Sequence, residues 1–293
     1  MSATPALDGG ARRVLVLVHS GKSAALELVS ELVPFLEERC DEVVVERDVV
    51  AFVERAESGR AAGSAPHAPD LVVVLGGDGA MLSAVRAFCE APVPTLGINF
   101  GRVGFLASTP QSRWREVLGG VLDGRGVTEP RMRLSVELPG LERPAIALND
   151  VVISREPQDA MLEIALEVGG AWVTNYRADG LILSTPSGST AYSLSAGGPI
   201  LAPTLLGVVV TPICSQALAN RPLVLHPDSV TRVEVVTDVD ADVVVDGQRV
   251  GALRHGDSVV ARRHPEPFPL LTMPDLDPYR RLRERLGWSG GVQ

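Results

Sequence analysis

The sequence predicts two domains, an α/β domain with an open, mostly parallel sheet followed by an all-β sandwich. The chain has 293 residues, and about 100–200 residues usually form one domain. Strand and helix signals alternate along the first third, whereas apolar and polar residues alternate after about Thr128. We therefore expect an α/β domain over 1–127 and a β-sandwich over 128–264. We expect the terminal segment, 265–293, to pack back on the first domain.

The first domain has the order of elements that βαβ units require. Stretches of helical spacing follow most of its apolar strand signals, and Ser58–Pro69 is typical of a surface loop. This order predicts a sheet with helices on both faces. The predicted strands are Arg13–Val18, Val43–Glu46, Leu71–Leu75 and Thr95–Ile98, and the predicted helices are Lys22–Arg39 and Ala80–Glu90.

The second part of the chain has strand signals at short intervals. Glycine, proline, asparagine and aspartate separate them, which is typical of a sandwich. Only Gly188–Ala196 and Thr204–Leu206 have helical character within it, and Pro278–Trp288 predicts a terminal helix. The predicted strands lie in 132–138, 146–153, 162–168, 173–176, 233–236, 243–245 and 258–261.

The composition excludes several classes of protein. A formal net charge of −9 and a pI near 5.1 argue against a nucleic-acid partner or an anionic membrane surface. No apolar run reaches the ~18 residues that span a bilayer, and no secretory signal pattern is present at the N-terminus. The three cysteines have neither metal-site nor disulfide spacing, so we expect free thiols in a cytoplasmic protein.

A glycine-rich turn, Gly76-Gly77-Asp78-Gly79, follows an apolar strand signal and precedes a helical one. Ligands of open α/β sheets bind at that edge, and three glycines let the backbone approach a phosphate. Gly76, Gly77 and Gly79 are therefore candidates for a phosphate-binding turn. Asp78 is a candidate base or metal-linked residue. A tight turn in which Asp78 caps the following helix is the structural alternative.

Three further segments have the composition of a nucleotide site. A second glycine-rich turn, Gly97–Leu106, contains Phe105, which could pack on a ligand ring or in the core. The run Asp179–Pro199 is dense in hydroxyls and glycines, which suits a polar ligand or a helix that caps itself. Asn149-Asp150 lies between two apolar strand signals, where the pair fits a ribose diol or a β-bulge.

Other features do not complete a known pattern. Gly21-Lys22-Ser23 resembles the end of a Walker A loop, but Val16 stands where that loop requires glycine. Lys22 could still meet a phosphate from its loop. The first βα turn lacks Gly-x-Gly-x-x-Gly, no serine lies in a Gly-x-Ser-x-Gly elbow, and the five histidines form no metal pattern. We predict no protein-built metal site.

Taken together, the motifs resemble the NAD kinase family. The Gly76–Gly79 turn is shared with diacylglycerol kinases and phosphofructokinases, whereas the run Ser187–Pro199 is far more specific. The resemblance covers residues 70–250. It implies an α/β domain and a β-sandwich with the active site between them. It also implies transfer of the ATP γ-phosphoryl group to the 2′-hydroxyl of the adenosine ribose of NAD, and some members accept polyphosphate instead of ATP.

The resemblance also implies roles for individual residues. Asp78 would be the general base, and Mg²⁺ would be held mainly by the donor nucleotide. Assembly would be a homodimer or homotetramer that shares the NAD site, with Arg177 and Asp179 reaching from a neighbouring subunit. The residues implied to contact NAD are Gly79, Phe105, Asn149, Asp150, Arg177, Asp179, Ser187, Thr190, Ala191, Tyr192, Ser195 and Gln248.

One departure and two alternatives accompany the resemblance. Ala80 follows the glycine turn where the family usually has Thr, which removes one hydroxyl near the phosphates. A lipid or diacylglycerol-type kinase of the same plan is the second enzyme hypothesis, although the polar Ser187–Ser195 segment and the acidic charge argue against it. The non-enzymatic alternative is a protein that senses NAD or NADP without turnover, and an intact Asp78 disfavours it.

Overall fold

The computed structural model describes residues 4–5, 11–57, 69–101, 104–156, 160–217, 219–274 and 278–288. The chain divides into two units. The first comprises residues 1–130 and 268–293, and the second comprises residues 131–267.

The first unit is built on a mostly parallel sheet. Within the described residues, the strand order is β1-β7-β20-β5-β4-β2-β3, and β6 pairs with β5. The pairs among β2, β3, β4 and β5 are parallel, whereas β1 and β7 pair antiparallel. The strands are β1 Thr4–Pro5, β2 Arg13–Val18, β3 Glu42–Glu46, β4 Leu71–Gly76, β5 Thr95–Asn99, β6 Thr109–Pro110, β7 Val127–Arg131 and β20 Phe268–Thr272.

The central strands of this sheet are buried on both faces. Every residue of Leu71–Gly76 is buried, as the continuous apolar run predicts. Val14, Val16 and Val18 share one core with α1 and α4, so their neighbours Leu15 and Leu17 face the other side of the sheet. The helices of this unit are α1 Ser23–Glu37, α2 Val49–Glu57, α3 Asp78–Ala87, α4 Trp114–Leu122 and α6 Pro278–Leu286.

The second unit is a β-sandwich. Its described residues form two sheets of six strands, in the orders β15-β14-β13-β10-β17-β18 and β12-β11-β16-β19-β8-β9. Residues of both sheets share one apolar core, which explains the alternation of apolar and polar residues in the sequence. Its strands are β8 Leu134–Glu137, β9 Ala145–Ala147, β10 Asp150–Arg155, β11 Leu162–Val168, β12 Ala171–Ala178, β13 Gly180–Ser184, β14 Val208–Ile213, β15 Leu223–Leu225, β16 Thr231–Val235, β17 Ala241–Val245, β18 Gln248–Leu253 and β19 Ser258–Arg263.

The predicted fold class is confirmed, although several elements differ from their predictions. Val49–Glu57 is a helix that the sequence analysis did not identify. Thr204–Leu206 is not helical, because only a turn forms at that point. Gly188–Ala196 contains a 3₁₀ turn, Gly188–Thr190, and a four-residue helix, α5, from Tyr192 to Ser195. Most of the predicted loop Ser58–Pro69 lies outside the described residues.

The described helices are all too short or too polar to cross a lipid bilayer.

Candidate active site

The glycine turn lies at the carboxyl end of the parallel sheet, as its sequence position predicts. β4 ends at Gly76, and α3 begins at Asp78. Gly77 is the N-cap of α3 and makes no side-chain capping bond. A Cβ on Gly79 would have no atom within 4 Å, so the outer side of the turn is open. The turn therefore combines accessible backbone with the positive end of a ten-residue helix.

The Asp78 carboxylate holds the second glycine-rich turn. Its Oδ2 accepts the N–H of Phe105 at 2.9 Å, and its Oδ1 accepts the N–H groups of Leu106 and Ala107 at 3.0 and 2.9 Å. A Cβ on Gly104 would overlap this carboxylate, so glycine is required there. Because a carboxylate has about four acceptor positions, one position on Oδ2 is left for a ligand.

Phe105 lies half-buried in the turn that Asp78 holds. The guanidinium of Arg285 lies 5.8 Å from the centre of its ring, within the range of a cation–π interaction. One face of the Phe105 ring therefore lies next to the terminal helix α6.

In the second unit, a different carboxylate holds the Asn149-Asp150 segment. Asp246 Oδ2 accepts the N–H of Leu148 at 2.7 Å, and Oδ1 accepts those of Asn149 and Asp150 at 2.8 and 3.0 Å. Asp246 and Gly247 form the two-residue turn between β17 and β18, and both have positive φ, 45° and 80°. The conformation of this hairpin turn therefore directs Asp246 at a segment almost a hundred residues earlier.

The hydroxyl-rich run supports the same segment from the other side. Thr185 N–H donates to the Asn149 carbonyl at 2.9 Å, and the Thr185 hydroxyl donates to the Leu148 carbonyl. A Cβ on Gly188 would overlap the Asn149 carbonyl, so this close approach requires glycine. The backbone of Asn149 is therefore fixed by Asp246 through its N–H and by Thr185 through its carbonyl.

The side chains of Asn149 and Asp150 remain available to a ligand. Neither makes a side-chain hydrogen bond to any residue of the described ranges. Asp150 is buried, at 6% exposure. Burial, together with the charge of Asp246, raises the pKa of Asp150 to about 7. This carboxyl group consequently changes its charge near neutral pH.

Several hydroxyls of the serine- and threonine-rich run point inward. Ser187 is buried and receives a bond from Arg131 Nη1 at 3.5 Å, and Thr190 Oγ1 donates to the Ser187 carbonyl at 3.0 Å. Ser193 and Thr211 share a buried hydrogen bond of 2.8 Å. These hydrogen bonds stabilise the run itself, and the contact of Ser187 and Thr190 with a nucleotide stays a prediction.

Four other predicted residues of the unit are at least partly exposed. Ala191 is half-buried, Ser195 is exposed, and Tyr192 exposes 46% of its surface. Gln248 is exposed and opens β18 directly after the Asp246-Gly247 turn. Gln248 therefore shares one end of this sheet with Asn149 and Asp150.

Asp179 lies at the other end of the sheet that contains Asp150, and Arg177 lies in the second sheet of the sandwich. Asp150 pairs with Ser184, whereas Ser154 pairs with Gly180, which directly follows Asp179. Four residues at about 3.3 Å each separate the two ends by roughly 13 Å. Asp179 forms an ion pair with Arg155 at 2.9 Å, and Arg177 is exposed on the edge strand β12. A single chain does not bring these two residues to Asp150.

Comparison with known proteins identifies the family. A model of the ATP-NAD kinase N-terminal domain matches residues 14–126, and a model of the ATP-NAD kinase C-terminal domain matches residues 148–273. An NAD kinase of Cupriavidus pinatubonensis is 38% identical over 281 residues, which cover 94% of this chain and 92% of that protein. The chain belongs to the NAD kinase family.

Other members of the NAD kinase family give the same result. An NAD kinase of Syntrophotalea carbinolica is 37% identical over 95% of this chain and 99% of its own. The crystal structure of yeast NADH kinase complexed with NADH has a TM-score of 0.82 at 26% identity, covering 97% of this chain and 90% of that one. An NAD kinase from Archaeoglobus fulgidus in complex with ATP has a TM-score of 0.69 at 25% identity, covering 94% and 97%. The chain is therefore an enzyme of the NAD kinase class.

The sequence analysis gave no role to two residues that support these segments. They are Asp246, whose carboxylate holds the backbone of 148–150, and Arg131, a fully buried arginine that contacts Ser187. The Asp-Gly pair between apolar runs is a strong hairpin signal and places Asp246 in a turn. No sequence signal reports which backbone its carboxylate contacts.

The described residues include no group of three or more His, Cys, Asp or Glu side chains arranged to hold a metal ion. The three N–H groups at Asp78 occupy most of the acceptor positions of the carboxylate nearest the glycine turn. These side chains do not fit a metal site built by the protein alone.

Proposed function

We propose that this enzyme transfers the γ-phosphoryl group of ATP to the 2′-hydroxyl of the adenosine ribose of NAD, which yields NADP. The observation that carries the proposal is the Asn149-Asp150 pair, whose backbone is fixed on both sides while its side chains stay unengaged. Relatives of nearly the same length are named NAD kinase. Solved neighbours in complex with NADH and with ATP support both ligands.

The second unit supplies the groups that suit the acceptor. A carboxylate at Asp150 can accept hydrogen bonds from two ribose hydroxyls, and the Asn149 amide can donate or accept. Because their backbone is already held, binding NAD costs little ordering of the turn. The predicted contacts at Gln248, Tyr192 and Ser195 have exposed surface through which they can reach the same ligand.

We also propose that Arg177 and Asp179 serve the NAD site of a neighbouring copy of the chain. The far end of the Asp150 sheet, where Asp179 lies, and the separate sheet that holds Arg177 favour this assignment over a role in their own site. A homodimer or homotetramer would then contain composite sites. Mixing Arg177→Ala subunits with Asp78→Asn subunits should restore part of the activity, because hybrids contain intact sites. No recovery after verified subunit exchange would contradict the shared site.

The first unit supplies the groups that suit the donor. The open side of Gly79 and the start of α3 allow phosphates to approach backbone N–H groups. Mg²⁺ bound to the donor would neutralise part of the negative charge on its phosphates. Since the described side chains form no metal cage, the donor oxygens would hold this ion.

We propose that Asp78 is the general base as well as the residue that holds the Phe105 turn. A ribose hydroxyl is a poor nucleophile at neutral pH, and the remaining acceptor position on Asp78 Oδ2 can take its proton. As the O–P bond to the γ-phosphorus forms, the bond to the β-phosphate oxygen breaks, and ADP leaves. Positioned bases of this kind typically contribute about 10²–10⁴ in rate.

The direct test is to incubate the purified chain with NAD, ATP and Mg²⁺. An NADP-specific dehydrogenase then detects the product. Parallel reactions replace ATP with polyphosphate, or NAD with diacylglycerol. NADP formation from NAD and ATP supports the proposal. Phosphorylation of diacylglycerol alone would favour the lipid kinase, and tight NADP binding without ATP consumption would favour a sensor.

NADH is a second candidate acceptor. The yeast NADH kinase complexed with NADH matches 97% of this chain in structure. The reaction on NADH uses the same ribose hydroxyl, so the groups proposed for NAD also serve it. Measuring kcat/KM for NAD and NADH side by side decides between the two acceptors.

A further inference from the structure

Lys22 is the single lysine in the sequence, and all the other residues with permanently basic side chains are arginines. Lys22 ends the loop that follows β2 and is the N-cap of the fifteen-residue helix α1. It is half-buried, and it lies at the carboxyl edge of the parallel sheet, where the glycine turn also lies. The N-cap position does not by itself require a lysine, because an ammonium has donors only and cannot cap the N–H groups at the start of α1.

The ammonium group of Lys22 lies beside both glycine turns. Its Nζ donates to the Phe100 carbonyl at 3.3 Å. It lies 3.5 Å from the position that a Cβ on Gly77 would take, and 4.0 Å from the position of a Cβ on Gly101. Within the described part of the chain, no carboxylate pairs with it. An ammonium has three donors, so two remain for a ligand.

Asn99 provides an independent observation at the same place. This last residue of β5 is only 4% exposed, and its Nδ2 donates to the Ala107 carbonyl at 3.2 Å. Its Oδ1 has no hydrogen-bond partner among the described residues and lies 3.7 Å from the position of a Cβ on Gly101. A buried acceptor without a partner is unfavourable, and native proteins rarely keep one unless a ligand or water satisfies it.

We propose that Lys22 binds the terminal phosphates of the phosphoryl donor in the space beside Gly77 and Gly101. Asn99 Oδ1 then accepts a hydrogen bond from a hydroxyl or a water that the bound donor carries. This inference rests on the proposed function and specifies its donor site. A lysine ammonium is a compact cation that binds phosphate as a point charge. The starts of α1 and α3, neither of which has a side-chain cap, add to the positive potential.

The first experiment separates the donor from the acceptor by steady-state kinetics. Lys22→Met keeps an unbranched side chain, one atom shorter, and removes the charge. We expect it to raise KM for ATP about 10- to 100-fold, which is typical for loss of a hydrogen bond to a charged group, while KM for NAD changes less than about threefold. Lys22→Arg should restore most of the ATP affinity. Equal increases in both KM values would overturn the assignment to the donor.

A matched control removes a different cation from the same unit. The Arg125 side chain is 63% exposed and pairs with its near neighbour Asp123 at 2.9 Å. Arg125→Met should leave both KM values unchanged. If Arg125→Met raised KM for ATP as much as Lys22→Met, the effect would be a general loss of positive charge, and the site at Lys22 would be rejected.

The second experiment needs no kinase activity and compares the full-length wild type with Lys22→Met. Calorimetry measures binding of inorganic tripolyphosphate to the wild type and to Lys22→Met. Pyridoxal 5′-phosphate, followed by borohydride reduction and peptide mapping, labels Lys22 as the one lysine side chain. We expect tripolyphosphate to prevent this labelling and to bind Lys22→Met about 10-fold or more weakly. Protection by NAD but not by tripolyphosphate would contradict the proposal.

The two experiments also distinguish this inference from the proposed function. If the wild type made no NADP but bound tripolyphosphate through Lys22, the kinase assignment would fail and the phosphate site would stand. If NADP formed and Lys22→Met bound tripolyphosphate like the wild type, the kinase assignment would stand and the phosphate site would fail.

Discussion

Asp150 and Asp246 exchange two hydrogen bonds. The N–H of Asp246 donates to the Asp150 carbonyl at 3.0 Å, and the N–H of Asp150 donates to Asp246 Oδ1 at 3.0 Å. This relationship joins the start of β10 to the hairpin between β17 and β18. It places two acidic side chains next to each other, and only the Asp246 carboxylate is satisfied by backbone N–H groups.

Replacing Asp246 should disturb the proposed NAD site indirectly, through the backbone of the Asn149-Asp150 segment that Asp246 holds. Asp246→Asn replaces one carboxylate oxygen by an NH₂ group, a donor that would face backbone N–H groups. This mismatch should lower the free energy of unfolding by about 1–3 kcal/mol. Misplacement of the Asn149-Asp150 turn by about 1 Å should lower kcat/KM for NAD up to about 100-fold. Urea denaturation and initial rates measure the two effects.

The control for this variant is Asp242→Asn on the same strand, β17. Asp242 forms a surface pair with Arg249 at 2.7 Å, so its loss should change stability by less than about 1 kcal/mol. It should leave kcat/KM for NAD unchanged. If Asp246→Asn behaved like this control, Asp246 would not position the turn.

Asp150 should make the stability of the protein depend on pH. Its pKa is raised in the folded chain, from 3.8 to about 7, so folding favours the protonated form. The stabilisation is present in full below about pH 4 and is lost as the pH rises through about 7. It amounts to at most about 4 kcal/mol at about 1.4 kcal/mol per pH unit. Asp150→Asn should therefore be more stable than the wild type at pH 8, and urea denaturation should show this advantage shrinking at pH 5 and disappearing below about pH 4.

Two further measurements check the cause of this dependence. Asp246→Asn removes the neighbouring negative charge and should move the stability transition of the wild type to lower pH. If the ribose hydroxyls of NAD donate to the ionised form of Asp150, as proposed, NAD should bind more tightly at pH 8 than at pH 6. Affinity for NAD that did not change over this range would argue against contact with Asp150.

The variant Asp78→Asn does not by itself test whether Asp78 is the catalytic base. A side-chain amide would face at least one of the backbone N–H groups from Phe105 to Ala107, so the variant also weakens the turn. Gly104→Ala is the matched variant, because its methyl group disturbs the same carboxylate and keeps the acid. If Asp78 is the base, Asp78→Asn should reduce kcat about 10²–10⁴-fold, well beyond the loss in Gly104→Ala. A loss in Asp78→Asn no larger than a mild loss in Gly104→Ala, which displaces the carboxylate but keeps the acid, would contradict the role of base.

Asn149→Ala should affect binding without affecting folding. The Asn149 side chain makes no hydrogen bond to the described residues, so the free energy of unfolding should change by less than about 0.5 kcal/mol. Loss of one hydrogen bond should raise the Kd of NAD about 3- to 10-fold. The Kd of ATP, measured by calorimetry on the same variant, serves as the internal reference. Equal weakening of both ligands would remove Asn149 from the NAD site.

Local patterns were sufficient to locate the glycine turn. Gly76–Gly79 was predicted at the end of a buried strand and before a helix because both signals lie within a few residues of it. The helix Val49–Glu57 was missed because it is only nine residues long, which gives a weak periodic signal. The strand Phe268–Thr272 joins a sheet whose other members lie more than 135 residues earlier, and its sequence does not report that partner.

The sequence by itself determined the fold class, the family and the segments that carry the site, because hydrophobic period and short motifs are local properties. Only the tertiary structure decided what each polar side chain contacts. It turned Asp78 and Asp246 toward backbone N–H groups of distant turns, directed Ser187, Thr190 and Ser193 inward, and left Asn149, Asp150 and Lys22 with unused hydrogen-bonding capacity. The physical reason is that a buried polar group must hydrogen-bond to another protein group or to a water molecule. The hydrogen-bond partners here are separated from each other by long stretches of chain.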